Sequence, residues 1–416
     1  MADIAVQVEV RLWGQRVGAL VELSTGPVIF EYADRFRASG LEISPLHLPL
    51  ALRGPIRFDE LRRSPAFGGL PGVLADSLPD AFGNRVIRAW LAARGEESEL
   101  SAAQRLLYVG ERAMGALTYP PASTIGERAA EVEALEIAEL VLNARRIVEG
   151  SPDVAIPEIY RIGSSAGGMR PKAVVLHDPA TGEIRSAFAE PGAGDLPAIL
   201  KFDGVGDGAT ADDLGRPLPF NRIEAAYTEI AREAGIDTVD CELVHDGSHA
   251  HLMVRRFDVT ADGDRIHQHS FGGLTHIDYN APGASSYEEY LRVILRLGMP
   301  HADLEEGFRR AVFNVLAVNQ DDHVKNLSFH MFPTGEWRLT PAYDLTFAHG
   351  RGWTSRHQMQ VQGRTEGITA THLEALAESV SVRRPTRILE RVRDALAAWP
   401  EQAKRTGVPP DDIQRI

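Results

Sequence analysis

The sequence predicts an α+β protein in which two strand-containing units precede a mostly helical one. Three observations lead to this prediction. Residues of alternating polarity open the chain, short apolar runs lie between residues 173 and 259, and helical periodicity dominates after about residue 278. A chain of 416 residues has room for two or three packed units, at roughly 100 to 200 residues per domain. We expect the units to span residues 1–128, 129–258 and 259–416.

The first unit is predicted to combine a small sheet with a helix. Residues 4–12 place apolar side chains at alternate positions, Gly14 supplies a turn, and further strands follow up to residue 32. A stretch rich in Gly and Pro at 67–80 then precedes a helix predicted at 84–95.

The second unit is predicted to be rich in strands. Its helices are expected at 130–147 and 221–234. Its strands are expected at 173–178, 198–203, 241–246 and 251–259, and the last two are joined by DGSHA, which contains the hairpin signal Asp-Gly. The third unit is predicted to hold helices at 286–298, 304–318, 371–381 and 386–399.

Charge and composition exclude several classes of protein. Lys and Arg number 44 against 58 Asp and Glu, a net charge of −14, which argues against direct binding to nucleic acid over a broad surface. The single cysteine, Cys241, excludes an internal disulfide and a Cys-based zinc site. The N-terminus lacks the pattern of a signal peptide, and no apolar run approaches the length of a membrane span. We therefore expect a cytoplasmic protein that avoids membranes and reaches DNA only through a partner.

A polar loop follows the predicted helix at 304–318. Within it, Asp321 and Asn326 have the D-x-x-x-x-N spacing by which kinases place a catalytic base and a metal-binding amide. Asp344, eighteen residues further on, is placed to be the second Mg²⁺ ligand, because this ion prefers oxygen donors. Such a spacing also arises by chance, and Asp344 could instead be a helix N-cap or a turn residue.

Upstream residues add groups that suit phosphate binding. Lys201 ends an apolar strand and needs a carboxylate partner, for which Glu224 is the candidate. The segment RIGSSAGGMRPKAVV is rich in glycine, and its backbone could approach phosphate oxygens. A solvent-facing Glu224 and an ordinary turn are the alternatives. The order of glycine-rich loop, lysine, glutamate, base and metal ligand is the order that a bilobal, protein-kinase-like fold requires.

At these residues the sequence resembles the HipA family of bacterial toxin kinases, over nearly the whole chain. The motifs that carry the resemblance are VRLWGQRVGAL, GVLADSLPDAFGNRV, SSAGGMRPKA, AILKFD, VRRFDV, SFGGLTHIDY, NQDDHVKN and LTPAYDL. The resemblance implies a protein-kinase-like fold with a β-rich N-lobe and a helical C-lobe, preceded by an N-terminal α+β subdomain. It also implies transfer of the ATP γ-phosphate to a serine or threonine of a protein, with Mg²⁺ as cofactor.

The same resemblance assigns roles to individual residues. Asp321 would be the base, and Asn326 and Asp344 the metal ligands, while Arg255 to Phe257 would form the hinge beside adenine. Ser165, or its neighbour Ser164, would be the autophosphorylated serine, where a phosphate would repel ATP. The residues implied to contact ATP are Gly167, Gly168, Met169, Arg170, Pro171, Lys172, Lys201, Glu224, Arg255, Arg256, Phe257, His323, Lys325 and Tyr343.

The resemblance further implies a biological role. Targets in the family include aminoacyl-tRNA synthetases, notably the glutamyl enzyme, whose phosphorylation halts translation and promotes growth arrest and persistence. A small DNA-binding antitoxin similar to HipB would neutralise the kinase and link it to DNA. The acidic, glycine-rich stretch at 203–219 departs from the family pattern, so no substrate contact is assigned to it, and we expect it to be mobile.

Three other functions remain open at this point. A small-molecule phosphotransferase of the aminoglycoside or sugar kinase type would use the same base and metal ligands, although the N-terminal unit argues against it. A kinase-like co-repressor could bind antitoxin and DNA without catalysis. A metal hydrolase could use Asp321, Asp322 and His323, but the sequence offers no second His/Asp cluster at a recognisable spacing.

Overall fold

The computed structural model describes residues 3–93, 99–120, 144, 170–187, 189–205 and 217–416. Several predictions therefore fall outside the described residues. They are the helix at 130–147 apart from Ala144, the glycine-rich loop up to Met169 with Gly167 and Gly168, the candidate phosphorylation sites Ser164 and Ser165, and most of the stretch at 203–219.

The N-terminal unit contains an antiparallel sheet in the strand order β3-β2-β1-β4. The alternation read from the sequence is confirmed in β1, where Val8, Val10 and Leu12 are buried and intervening side chains face outward. The predicted helix begins three residues earlier than expected. The elements are β1 Ile4–Leu12, β2 Gln15–Leu23, β3 Val28–Tyr32, α1 Asp34–Arg37, α2 Gly72–Ala75, α3 Ala81–Ala93, α4 Ala102–Val109 and β4 Leu117–Thr118.

The second unit is built on an antiparallel sheet in the order β6-β5-β7-β9-β8. The predicted hairpin is confirmed, with Asp246 opposite His249 at the turn. Strands β5 and β7 place Lys172 directly opposite Lys201. The elements are β5 Lys172–His177, β6 Ile184–Ser186, β7 Leu196–Lys201, α5 Phe220–Glu233, β8 Cys241–Asp246 and β9 His249–Arg255.

The third unit is mostly helical, but it also contains short strands, of which only β13 lies in a segment, WRLT, whose residues are strand-like in the sequence. Strands β10, β12 and β13 form an antiparallel sheet, and β11 pairs with β14. These strands are two to four residues long, too short for a readable alternation. The elements are β10 His267–Ser270, α6 Phe271–Thr275, β11 Ser285–Ser286, α7 Tyr287–Arg296, α8 His301–Leu316, β12 Ser328–Met331, β13 Trp337–Leu339, β14 Met359–Gln360, α9 Ala370–Ser379, α10 Pro385–Leu396, α11 Trp399–Arg405 and α12 Pro410–Arg415.

The N-terminal unit packs directly on the third unit through two short helices, α2 and α6. At Gly72 an added Cβ would lie 1.9 Å from the carbonyl oxygen of Gly273, so the two backbones can approach this closely only because glycine stands there. Most of the described buried apolar side chains of the three units form one continuous core, and a second, smaller cluster consists of Ala225, Val239, Leu252 and Val254. Among the described helices, none has the length and apolar character to cross a bilayer.

Candidate active site

A cleft of about 850 Å³ is lined by residues of all three units. Part of the lining is apolar and includes Ile199, Val254 and Phe257. Most of the lining residues carry charged or polar groups. The polar residues in the lining are Asp76, Lys172, Lys201, Glu224, Gln268, Ser270, Lys325, Asn326, Ser328, Tyr343 and Asp344.

Lys201 joins two carboxylates at the centre of this cleft. Its Nζ lies 2.5 Å from Glu224 Oε1 and also donates to Asp344 Oδ1. Burial disfavours the charge on Lys201, but Asp344 and Glu224 outweigh burial and raise its pKa. The predicted pairing of Lys201 with Glu224 is confirmed, and the solvent-facing alternative for Glu224 is wrong, because only 5% of that residue is exposed.

Asp344 stands in a backbone conformation that is uncommon for residues other than glycine. Its φ is 53°, in the left-handed region, and such residues cluster at functional sites. No helix begins directly after it, so the helix N-cap alternative is wrong. Burial alone would raise the pKa of Asp344, but the charges of Lys201 and Lys172 lower it to about 2. Asp344 is therefore a carboxylate that already faces cations.

The loop that carries Asp321 and Asn326 follows the end of α8. Val318 has a φ of 54°, and the backbone N–H of Asn319 donates to the Asn314 carbonyl, which ends the helix and redirects the chain. Asn326 Nδ2 donates to the carbonyl of Asp321 at 2.9 Å and so closes the loop. This contact leaves the amide oxygen of Asn326, the atom that Mg²⁺ requires, for a ligand.

The Asp321 side chain is accessible, with 41% of it exposed. Partial burial raises its pKa, while His323 and a hydrogen bond from Trp353 act in the opposite direction. His323 Nε2 lies 3.9 Å from Asp321 Oδ1, and burial lowers the pKa of His323, which favours its neutral form. An accessible carboxylate with a raised pKa suits general-base catalysis.

Asp322 has a different role from its neighbour. It is 1% exposed and accepts hydrogen bonds from the Tyr287 hydroxyl at 2.9 Å and the Gln358 backbone at 2.7 Å. His357 Nδ1 lies 3.0 Å from it. Asp322 therefore anchors the loop to the protein interior. In the described part of the chain, no three His, Cys, Asp or Glu residues are grouped to hold a metal, so the metal hydrolase alternative finds no support there.

Some of the other described residues that were predicted to contact ATP, Lys172 among them, line the cleft. Lys325 and Tyr343 line it, and Phe257 stacks on Tyr343 with ring centroids 5.2 Å apart. The Arg170 guanidinium lies 4.5 Å from the centre of the Phe220 ring and 4.0 Å from Glu224 Oε2. Pro171 contributes a carbonyl that accepts from the Phe202 backbone and is outside the lining.

Two predicted residues point elsewhere. Arg256 is buried and pairs with Asp258 at 2.6 Å. Arg255 faces a separate groove that it shares with Cys241. The hinge role of residues 255–257 stays a prediction, and in this geometry the backbone of the segment and the Phe257 ring are the groups that could take it.

The sequence analysis missed two carboxylates of the N-terminal unit. Asp76 lines the cleft and accepts from the backbone and hydroxyl of Ser270 at 2.7 and 2.6 Å, and His269 Nδ1 lies 2.6 Å from it. Asp80 lies 3.5 Å from Lys172 Nζ. Both carboxylates stand in the motif GVLADSLPD, but the approach of Asp76 to Gly273 of SFGGLT, which leaves the space that Asp76 fills, is visible only in the structure. A Cβ at Gly273 would lie 2.4 Å from Asp76 Oδ2.

The residues of the cleft fit Mg²⁺ and a nucleotide. Asp344 and Asn326 both line it and supply the hard oxygen donors that this ion prefers. Mg²⁺ is usually held by one or two carboxylates together with substrate phosphates rather than by a protein cage. A site with few protein ligands beside buried lysines matches that pattern.

Comparison with known proteins agrees with this geometry. A sequence-family model of the HipA N-terminal domain matches residues 8–120. A sequence-family model of the HipA-like C-terminal domain matches residues 164–400, which is more than half of the chain. The chain belongs to the HipA family. A similar HipA structure, solved in complex with HipB and operator DNA from the toxin-antitoxin system of Shewanella oneidensis, has a TM-score of 0.68 and 18% identity and covers 97% of this chain and 92% of its own. This likeness establishes the bilobal, kinase-like fold with its N-terminal α+β unit.

Two curated proteins are also similar to this HipA family member. Y4dM of Sinorhizobium fredii, which carries the name of a kinase, is 26% identical over 349 residues, or 81% of this chain and 76% of that protein. A Haemophilus influenzae protein that is also named as a kinase is 31% identical over 135 residues, or 29% of this chain and 39% of that protein.

Proposed function

We propose that this chain is an ATP-dependent kinase that transfers the γ-phosphate to a serine or threonine of a protein. The observation that carries the proposal is the joint contact of Lys201 with Glu224 and Asp344, in a cleft that also holds Asn326. A lysine oriented by a glutamate, beside a metal-binding aspartate, is the phosphate-binding arrangement of protein kinases. The kinase names of the two curated relatives support the same reading.

The residues have distinct tasks in this reaction. The apolar part of the lining, with Phe257, receives adenine, while Lys201 and Lys172 neutralise phosphate charge. Asn326 and Asp344 hold Mg²⁺, which when bound neutralises the charge on the transferring phosphate oxygens. Asp321 accepts the proton of the acceptor hydroxyl as that oxygen attacks the γ-phosphorus and the bond to the bridging oxygen of ADP breaks.

The finer biological proposals follow the family. We propose that the chain acts as a toxin on a translation enzyme such as an aminoacyl-tRNA synthetase and that a HipB-like antitoxin restrains it, as the HipA–HipB–DNA complex of the Shewanella relative suggests. A cytoplasmic location and autophosphorylation at Ser165 or Ser164 belong to the same proposal.

Labelling with [γ-³²P]ATP tests the function. Purified chain, Mg²⁺ and a bacterial extract should give label on serine or threonine of protein, and EDTA should abolish it. Asp344→Asn should also abolish labelling, and cells that express this variant should not show any growth arrest that the wild type causes. Label that appears only in small molecules would replace the proposal with a small-molecule phosphotransferase. Absence of any transfer by folded protein would leave the co-repressor function instead.

A further inference from the structure

The segment His349–Arg356, here called the basic segment, forms a wall beside the proposed base. Trp353 Nε1 donates a 2.6 Å hydrogen bond to Asp321 Oδ1. His349 Nδ1 lies 2.8 Å from Gln320 Oε1, next to Asp321 in the chain. The segment thus touches both the base and the residue before it.

One buried side chain fixes this position. Gln358, 4% exposed, donates from Nε2 to the carbonyls of Trp353 at 2.7 Å, Arg356 at 3.0 Å and Gln320 at 3.2 Å. Three carbonyl oxygens, two from the basic segment and one from the catalytic loop, therefore lie within 3.2 Å of a single atom. Gln358 also donates its backbone N–H to Asp322. The basic segment is consequently tied to the loop of Asp321 and does not merely pass near it.

The exposed groups of the segment are cationic and aromatic. Between Leu345 and Thr365 the chain has three arginines and no acidic residue, although its net charge is −14. Arg351 and Arg356 are exposed and form no ion pair with any described residue. Trp353 is 37% exposed, which is unusual for so large an apolar side chain. Cations and an indole beside a reacting group are features of a recognition surface.

We propose that the basic segment is the docking surface for the acceptor protein and that it selects a serine or threonine flanked by acidic residues. The inference rests on the proposed kinase function and names its substrate class. Arg351 and Arg356 attract the acidic flanks. Trp353 is a positioning residue, because its indole N–H holds one oxygen of Asp321 and leaves the other for the acceptor hydroxyl.

Matched peptides test the proposal. Two peptides with one central serine, flanked by glutamates in one and by lysines in the other, are assayed with Mg·ATP, and the ratio of their kcat/KM values is measured. We expect the acidic peptide to be favoured on the order of tenfold or more. Arg351→Glu with Arg356→Glu should remove or reverse the ratio. The control is Arg383→Glu with Arg387→Glu, at two exposed positions outside the cleft lining. It makes the same change of charge and should preserve the ratio of the two kcat/KM values.

The outcomes separate this inference from the proposed function. Equal use of both peptides, a ratio that survives in the Arg351/Arg356 variant, or self-labelling without phosphorylation of either peptide would overturn the docking surface and leave the kinase intact. An oligonucleotide that binds wild type but not this variant, without a peptide preference, would assign the segment to nucleic acid instead. No transfer to any acceptor would contradict the proposed function itself.

The positioning role of Trp353 has its own readout. Trp353→Phe keeps a ring and removes the N–H donor to Asp321, so kcat should fall while the KM for the acidic peptide stays nearly unchanged. A raised KM with an unchanged kcat would mean that Trp353 serves only to pack the segment.

Discussion

Lys172 and Lys201 face each other across β5 and β7, yet their electrostatic surroundings differ. Lys201 contacts Glu224 and Asp344, and its pKa is raised against the effect of burial. Lys172 is equally buried, but burial prevails over the attraction of Asp80 and lowers its pKa. The two lobes therefore provide the counter-charges of Lys201, whereas the N-terminal unit provides Asp80 as a counter-charge of Lys172.

The largest expected effect concerns stability. Lys201→Met leaves the buried Glu224 and the partly exposed Asp344 without their common cation, and we expect the free energy of unfolding to fall by about 3 to 5 kcal/mol. Lys172→Met should cost much less, about 1 kcal/mol, because burial already raises the pKa of Asp80 and this carboxyl can take up a proton. Urea unfolding of both variants measures the difference. Equal losses of unfolding free energy would mean that the charges around the two lysines stabilise the protein equally.

A second prediction concerns the contribution of the N-terminal unit to nucleotide binding. Asp80→Asn removes the counter-charge of Lys172, lowers its pKa further and reduces the positive charge available to phosphates. We expect the KM for ATP to rise about tenfold, or about 1.4 kcal/mol, with a smaller change in kcat. Glu31→Gln, an exposed change in the same unit, is the control. An unchanged KM would confine the N-terminal unit to a packing role.

The smallest effect is a shift along the pH axis. A proton on Asp321 blocks its action as a base, so kcat should increase as pH rises through the pKa of this group. Because burial raises that pKa, the acid limb should lie above the usual aspartate value of about 3.9. The pH profile of kcat measures it, with circular dichroism to verify that the protein stays folded. An acid limb at or below that value would mean that Asp321 is not the group whose titration controls kcat.

The sequence predicted those parts of the site that depend on local order. Lys201 at a strand end, Glu224 on the next helix, and the spacing of Asp321, Asn326 and Asp344 were all readable. The structure places four of them in the cleft lining, and Asp321, outside the lining, is near enough for the charge of Asp344 to raise its pKa. Strand alternation could also have predicted that the Arg255 side chain faces away from the cleft, because its neighbour Val254 lines the cleft.

The rest depends on contacts between distant segments. Asp76 reaches the cleft because α2 packs on α6, an approach that two glycines permit and that no spacing along the chain reveals. Asp80 follows in the same segment and lies beside Lys172. The short strands β10, β12 and β13 gain their stability from mutual pairing and burial rather than from their own residue patterns. Trp353 was missed for the same reason, because 32 residues separate it from Asp321.

The central claim is that Asp321 performs the proton transfer while Lys201, Asn326 and Asp344 hold Mg·ATP. Asp321→Asn tests it most directly when transfer of ³²P and binding of Mg·ATP are measured on the same folded sample. We predict nearly unchanged binding and a rate of transfer lower by about 10²- to 10⁴-fold, the contribution of a general base. Transfer at the wild-type rate would contradict the account.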